Sequence, residues 1–549
     1  MSTSAVAAPD RARARWPRRQ VTPAPGAEHL PLPFALAVAA VGGGLLATAF
    51  PSLGWWPAAP AGIAAISLAT RGQRARRGAL LGLIAGLAFF LPHLQWSGVY
   101  VGTLPWVALT GLEASFVALL GALLPLAWRA PGGRFGTVIT TGGLWVGQEA
   151  LRGRVPFGGF PWGRLAFSQA DAPSLGWAAL GGAPLVTAAV AVAGTCLAVA
   201  VTELASRRSG RWVLRGGVAL VAGIAAVGAG AAVPTPTGSS SSTQVAAVQG
   251  NVPHAGLDFN AQRMAVLSNH VLATARLADR IGSGQAPQPD VVIWPENASD
   301  IDPLRNPDAA DAIQAAVDRV AVPVVVGAVL VQPAHHLSNA AIVWGPTGTV
   351  TAGPGVTYVK RHPAPFGEYI PYRSFFRNFS DKVDLVRLDF AAGDRAGVLP
   401  VGQVRMGDVI CFEVAYDSLV RDTVQHGANL LVVQTNNATF GYTDESVQQL
   451  AMSRLRAVEN GRAVVHISTV GVSALIAPDG RIVARSGHFT QQVLQARLPL
   501  RTEQTVATRL GEWPEFGLSA AGLLLAGSAL VRRRSPVVPA PAQSADNRA

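Results

Sequence analysis

Charge is what this sequence has least of. Only 14% of its 549 residues are Asp, Glu, Lys or Arg, against roughly 25% in ordinary soluble chains, while 50% are hydrophobic. That composition excludes disorder and points to a bilayer. Cysteine is nearly absent as well. Cys196 and Cys411 are too few and too far apart for a disulfide framework, a Cys-x-x-Cys zinc site or a c-type haem attachment, so any thiol chemistry rests on one of them alone. Lysine is the third scarcity, because only Lys360 and Lys382 stand among 44 basic residues. GC-rich coding drifts Lys towards Arg, and a lysine that persists hints at a compact ammonium where Arg would not serve. No internal repeat, heptad seam or Gly-rich phosphate loop occurs. His254, His335, His336 and His362 have no metal-ligand spacing, so neither a metal nor another cofactor is expected.

The net charge of +12 is confined to particular stretches. Between Thr243 and Glu512 there are 22 Lys+Arg against 24 Asp+Glu, which leaves 22 against 8 for the rest of the chain. A nearly neutral block flanked by basic segments argues membrane topology and no nucleic-acid partner. Residues 1–30 read as a disordered basic arm, and no clear cleavage site follows the first apolar run, which is expected to remain as an uncleaved helix. Apolar runs recur at 32–50, 55–70, 78–97, 104–128, 135–151, 174–203, 212–233 and 515–531, of which the second and fifth are marginal for spanning.

Alternate connections carry Arg71, Arg74, Arg76 and Arg77, then Arg129 and Arg134, then Arg207, Arg208 and Arg211, then Arg532 to Arg534. By the positive-inside rule both termini are cytoplasmic and the block after the seventh span lies outside. The connection 152–173 breaks the contrast with Arg152, Arg154 and Arg164. The expected organisation is a seven-helix membrane domain over 31–233, a linker over 234–243, a soluble domain over 244–512, an eighth helix over 513–534 and a disordered cytoplasmic tail over 535–549. Trp55, Trp56, Trp96 and Trp106 fit an interfacial belt, and Glu113, inside a span, reads as polar glue facing the bundle interior.

The soluble block alternates Val/Ile runs with amphipathic segments: QVAAVQ (244–249), DVVIWPE (290–296), VPVVVGAVL (322–330), AAIVWG (340–345), DVICFE (408–413), NLLVVQT (429–435), AVVHIST (463–469) and SALIAPDG (473–480). Helices are expected at 260–283, 308–320, 415–426 and 445–460. This is an α/β domain with a sheet buried on its faces. Cys411 ends a strand just before a helix, where a thiol can project into a cleft beside free backbone N–H groups, although a lone cysteine is more often inert packing. Glu296 ends the apolar run DVVIWPE, where partial burial would suit a general base, and a helix-capping carboxylate fits equally well. Lys360 sits in the Gly/Pro-rich TYVKRHPAPFGEYIP with Glu368 eight residues on, where it could stabilise an oxyanion or simply be a surface lysine.

Taken together, WPE around Glu296, YVK at Lys360 and ICFE around Cys411 resemble, in chain order, the Glu–Lys–Cys triad of the nitrilase (carbon–nitrogen hydrolase) superfamily. That resemblance covers about 243–500. It implies a four-layer α-β-β-α sandwich, with Glu296 as general base, Lys360 as stabiliser of the tetrahedral intermediate and Cys411 as nucleophile. Over nearly the whole chain from about residue 35 the sequence also resembles the apolipoprotein N-acyltransferase family, through VQGN (248–251), KRHPAPFGEYIP (360–371), RLRAVENGR (454–462), EALRG (149–153) and GGFPWGRLAFSQ (158–169).

This second resemblance implies an eight-span polytopic bundle with an extracytoplasmic nitrilase-like domain in a bacterial cytoplasmic membrane. Its implied partners are a phospholipid acyl donor and a diacylglyceryl-modified apolipoprotein, joined through a thioester, and the expected enzyme is a monomer. Glu368 matches the PFGE glutamate that positions the lysine, and Glu413 the glutamate two residues past the nucleophile. Phe412 stands where many members have Tyr, Phe259 stands near a position often held by Trp, and Thr439 replaces a frequent Trp before the Phe-Gly pair. A membrane-tethered amidase that hydrolyses rather than transfers shares the same triad. A membrane binding protein would instead be indifferent to Cys411→Ala.

Overall fold

The computed structural model describes residues 29–206, 211–235, 237–253 and 262–534. The arm up to residue 28, Arg207, Arg208, His254, Phe259 and the tail from residue 535 lie outside the described residues. Seven helices come first: α1 (Leu32–Ala49), α2 (Ala58–Thr70), α3 (Ala75–His93), α4 (Thr103–Ala127), α5 (Gly133–Arg152), α6 (Ala178–Ser206) and α7 (Trp212–Gly228). Next come β1 (Ser241–Gln249), α8 (Arg263–Gly282), β2 (Val291–Ile293), α9 (Pro307–Val320), β3 (Val324–Leu330), β4 (Ser338–Gly345), β5 (Gly353–Val359) and the one-turn α10 (Arg373–Phe376). The second half continues with β6 (Val398–Val401), β7 (Val404–Ile410), α11 (Asp417–Gln425), β8 (Leu430–Thr435), α12 (Glu445–Asn460), β9 (Val464–Ser468), β10 (Ala474–Ile476), β11 (Ile482–Arg485), β12 (Gln492–Leu500), α13 (Val506–Leu510) and α14 (Trp513–Arg534).

Eight helices thus stand where the apolar runs lie. Among the described residues, six of them, α1, α3, α4, α6, α7 and α14, are long and apolar enough to cross a membrane. The two marginal runs became α2, with 13 residues, and α5, whose sequence carries Gln148, Glu149 and Arg152. Small residues let the helices touch: Gly78, Gly82 and Gly86 recur every four residues on α3, and a Cβ at Gly82 would stand 2.2 Å from the Val117 carbonyl oxygen of α4. α6 is kinked at Gly181 and Gly182, just before Pro184.

Two six-stranded sheets follow, in the orders β12-β1-β2-β3-β4-β5 and β11-β10-β9-β8-β7-β6. The central pairs β1/β2, β2/β3, β7/β8 and β8/β9 are parallel, and the flanking pairs are antiparallel. Val245, Ile293, Val325, Met406, Val432 and Val465 belong to the apolar layer between the sheets, while α8 and α9 cover the outer face of the first. α9 starts as its sequence dictates: the Asn306 side chain accepts from Ala309 N–H and Pro307 opens the helix. β5, β6, β11 and β12 escape the apolar pattern, because β5 is largely exposed, β6 carries Pro400 and β12 alternates. β1 starts inside the stretch read as linker, since Ser241–Thr243 pair with Leu498–Leu500.

The fourth layer is shared with the bundle. α12 is buried on both sides, with only Val447 and Arg454 partly exposed among its 16 residues. One continuous apolar core runs from Val409, Leu455 and Val458 to Leu165, Val186 and Phe90. The three arginines that break the loop contrast all have acidic partners, two within the bundle and one across to the catalytic domain. Arg152 pairs with Glu113 at 2.8 Å, both side chains 1% exposed, which is the role expected of Glu113 as interior glue. Arg164 pairs with Asp417 at 2.8 Å, and Arg154 with Glu515 at 2.5 Å. Trp96 is corrected from the belt, since it is buried 5.1 Å from Trp162 and 5.0 Å from Phe440 instead of facing lipid.

Gly82→Leu should force α3 and α4 apart, because backbone rather than a flexible side chain blocks the new atoms. The expected cost is about 1–3 kcal/mol, read as a lowered unfolding midpoint in detergent. An unchanged midpoint would contradict the close approach.

Candidate active site

The nucleophile candidate sits at a strained corner. β7 ends at Ile410, and Cys411 follows with φ of 54°, a left-handed conformation that a side chain with a Cβ adopts only when its surroundings impose it. Glu413 braces the backbone beside it. Its carboxylate accepts from Ile410 N–H at 2.7 Å and from the Tyr358 hydroxyl at 2.8 Å. The same carboxylate accepts from Arg361 N–H at 2.7 Å and His362 N–H at 3.0 Å. One buried side chain therefore ties the end of β7 in the second sheet to the chain leaving β5 in the first.

That second segment carries Lys360, 2% exposed. Its Nζ lies 3.3 Å from Glu296 Oε1 and 2.8 Å from Glu368 Oε2. Glu296 arrives on the turn after β2, which packs against β3 only because residue 327 is glycine: a Cβ there would stand 2.1 Å from the Pro295 carbonyl oxygen. The Glu296 carboxylate accepts from Asn436 N–H at 2.8 Å and from Asn339 Nδ2 at 2.5 Å. Asn339 also donates to Glu368 at 3.1 Å, and Lys360 N–H donates to the Asn339 carbonyl. Cys411 Sγ accepts from Gln449 Nε2 at 3.7 Å.

The electrostatics follow from burial and from these pairs. Burial pushes the Glu296 carboxyl up, with Lys360 working against that and Glu368 with it. Burial also opposes the Lys360 charge, but Glu368 and Glu296 outweigh it and hold the ammonium above the usual lysine range. The Cys411 thiol is pushed far up by burial and by Glu296, with Lys360 pulling it back. The arrangement therefore sets a thiol that burial keeps protonated within the electrostatic influence of an ammonium and a desolvated carboxyl, the combination that activation of a thiol by a general base calls for.

The structure brings Lys360 into direct contact with both Glu296 and Glu368 and sets Cys411 within the electrostatic reach of Glu296 and Lys360. Phe412 turns towards the bundle, with its ring 5.4 Å from Phe160 and 5.9 Å from Trp162. Both come from the loop between α5 and α6, which is itself held by Arg152 donating to the Phe160 and Trp162 carbonyls. Asn339, Asn436, Tyr358 and Gln449 were missed in the sequence. The polar pair Ser338–Asn339 opening the apolar run AAIVWG was the one signal for Asn339. Among the described residues no group of three or more His, Cys, Asp or Glu could hold a metal.

Glu413→Gln replaces an acceptor-only group with one whose NH2 must face N–H or O–H donors. It should cost about 1–3 kcal/mol locally, read as faster hydrogen exchange at the Ile410, Arg361 and His362 amides. Unchanged protection at all three would remove Glu413 from this role.

Two family models match: the apolipoprotein N-acyltransferase N-terminal domain over 42–196, and the carbon-nitrogen hydrolase over 244–508. The chain is 40% identical over 515 residues to an apolipoprotein N-acyltransferase of Mycolicibacterium smegmatis, covering 88% of this chain and 83% of that one. It is 32% identical to that of Ralstonia nicotianae, covering 92% and 94%, and 30% identical to that of Azotobacter vinelandii, covering 93% and 97%. Among solved structures an amidase from Nesterenkonia sp. superposes with a TM-score of 0.33 at 17% identity, covering 47% of this chain and 90% of that one. With its helical bundle and its carbon–nitrogen hydrolase domain, the chain belongs to the apolipoprotein N-acyltransferase family and is a multi-pass membrane acyltransferase.

Proposed function

We propose that this enzyme transfers a fatty acyl chain from a phospholipid to the α-amine of the N-terminal diacylglyceryl-cysteine of apolipoproteins, through a thioester on Cys411. The observation that carries the reading is the placing of Cys411. Its thiol stands at a left-handed corner beside a buried Glu296–Lys360 pair, and the next ring, Phe412, packs on a loop of the bundle. Glu296 takes the thiol proton as Sγ attacks the ester carbonyl. Lys360, held by Glu368, stabilises the oxyanion. The C–O bond breaks, the proton returns to the departing lysophospholipid, and the thioester conserves the acyl activation. The lipoprotein amine then attacks the thioester, and sulfur leaves with the electron pair.

Acyl chains need an apolar surface beside such a site. Phe366, Tyr372, Phe375 and Phe379 are exposed on the segment after Lys360, and Phe366 meets Phe157 of the bundle loop at 5.7 Å. An apolar wall of this kind also limits water, which favours transfer over hydrolysis.

All eight helices count as spans in this reading, α2 and α5 included, with membrane domains over 31–233 and 513–534 and a catalytic domain over 244–512. Arg74, Arg76 and Arg77, then Arg129 and Arg134, then Arg211 and Arg532 fall on or at the helix ends beside alternate connections, while Arg152 and Arg154 are paired with Glu113 and Glu515 of the bundle helices and Arg164 with Asp417 of the catalytic domain. The catalytic domain then lies outside the cytoplasmic membrane and both termini inside.

Incubating the purified enzyme with acyl-labelled phosphatidylethanolamine should give a hydroxylamine-sensitive band that is absent in Cys411→Ala and moves to the amine of an added diacylglyceryl peptide. Release only as free fatty acid would assign a hydrolase, and no label would remove the acyl-enzyme. The base must be ionised to take the thiol proton, so acyl-enzyme formation should fall as pH drops through the raised Glu296 pKa. Its acid limb belongs above the ordinary glutamate range, and a limb within that range would argue against Glu296 as base.

A further inference from the structure

Against Cys411 lies a polar cluster that the steps above leave unused. Thr435, Asn437 and Gln449 are 0% exposed and Glu445 is 2% exposed. Glu445 and Gln449 stand four residues apart on α12, so their side chains project from one face of the helix. Asn437 Nδ2 donates to Glu445 Oε2 at 2.7 Å and to Gln449 Oε1 at 3.1 Å, and Thr435 Oγ1 donates to the same Gln449 oxygen at 2.9 Å. The Asn437 amide is itself oriented, because its Oδ1 accepts from Ser468 Oγ at 2.5 Å. With its oxygen engaged twice, the Gln449 amide has one remaining direction for its N–H groups, and Nε2 meets Cys411 Sγ at 3.7 Å.

We propose that Gln449 is a further catalytic residue, donating from Nε2 to Cys411 Sγ whenever that sulfur carries negative charge, and that Glu445 is the positioning residue that holds it through Asn437. This rests on the thioester reading above and adds what stabilises the sulfur itself. When the amine nitrogen bonds to the thioester carbon, the C–S bond breaks and the electron pair goes to Sγ. The proton lost from the nitrogen passes to Glu296 and from there to sulfur. Until it arrives, Sγ is a buried thiolate, and Lys360 is engaged with Glu296 and Glu368. A fixed amide N–H at Sγ lowers the energy of that leaving group and of the attacking thiolate in the first half-reaction alike. The charged and titratable groups that act on Cys411 are Glu296, Lys360 and Glu445. Burial pushes Glu445 up to about 8, so near neutral pH it is mostly the neutral acid and sets little charge against the thiolate. Its oxygen still accepts from Asn437.

The test uses the full-length enzyme in detergent with three variants. Gln449→Met keeps the volume and removes the donor, Glu445→Ala removes the positioning oxygen, and Glu445→Gln keeps an acceptor at that place. Single-turnover aminolysis of the preformed acyl-enzyme should slow about ten- to a hundredfold in Gln449→Met, as expected for a hydrogen bond to a charged group. It should slow similarly in Glu445→Ala, and Glu445→Gln should recover most of the loss. Iodoacetamide alkylation of Cys411 against pH, with Cys411→Ala as the blank, should shift to higher pH in Gln449→Met. A purely structural role would leave that profile in place. The proposal is overturned if Gln449→Met keeps the wild-type aminolysis rate and alkylation profile, or if Glu445→Gln fails as badly as Glu445→Ala while both retain the wild-type unfolding midpoint. A wild-type enzyme that forms no Cys411 thioester would instead defeat the reading on which this one rests.

Discussion

A buried ammonium cannot stand alone in a protein, and the catalytic domain is organised around meeting that constraint at Lys360. Desolvating one charge costs several kcal/mol, so partners must arrive with good geometry and with their own remaining lone pairs satisfied. Glu368 supplies a carboxylate at 2.8 Å from the same loop and Glu296 another at 3.3 Å from a different strand end. Two carboxylates around one ammonium leave excess negative charge. Asn339, donating to both, and the Asn436 N–H disperse it. The result is a glutamate whose charge is supported on one side and whose burial keeps it basic. Such a base suits a thiol that is itself held neutral by burial.

The same constraint explains why two sheets are needed. Glu296 and Lys360 belong to ends of the first sheet, and Cys411 to an end of the second. Strands packed face to face hold such ends at a fixed separation, and Glu413 completes the joint. It takes N–H groups from both sheets, and the positive φ at Cys411 is the local cost of aiming the thiol back at the pair.

Much of this was legible in the sequence, for physical reasons. Strands buried on both faces read as continuous Val/Ile runs, so β3, β8 and β9 stood out, and α12 fell on 445–460 as expected. Glu296, Lys360 and Cys411 each end or follow such a run; taken singly each also fitted a bland structural role, and it was their chain order together that singled them out, while the structure brings Glu296 and Lys360 to within 3.3 Å. What was hidden depends on register between distant segments. β12 is a half-exposed strand whose identity comes from pairing with β1 some 250 residues earlier in the chain. Asn339 looks like an ordinary polar residue of a strand start, and Glu445 and Gln449 like those of a helix start, until the second sheet and the helix that carries them pack against the first sheet and the bundle. Arg152 and Arg164 read only as exceptions to the charge alternation of the connections, since nothing local announces that Glu113 and Asp417 lie opposite.

The deepest departure from the sequence reading concerns how the two halves meet. A linker followed by an α/β domain suggests a soluble enzyme tethered beside a membrane bundle. Instead α12 has the second sheet on one side and α6 on the other, and its buried charges close a network across the boundary. Arg456 pairs with Glu459 at 2.6 Å and with Asp417 at 2.7 Å, and Asp417 pairs with Arg164 from the bundle loop. Arg456 also donates to the carbonyls of Val414 and Ala415, the turn that begins at Cys411. Buried ion pairs of this kind are weak sources of stability but strong ones of geometry, because removing one partner leaves a charge uncompensated. Any rigid shift of the bundle loop would therefore be transmitted to the turn that carries Cys411. The bundle thus acts as the fourth wall of the framework around Cys411, joined to it by the same contacts that fold the domain.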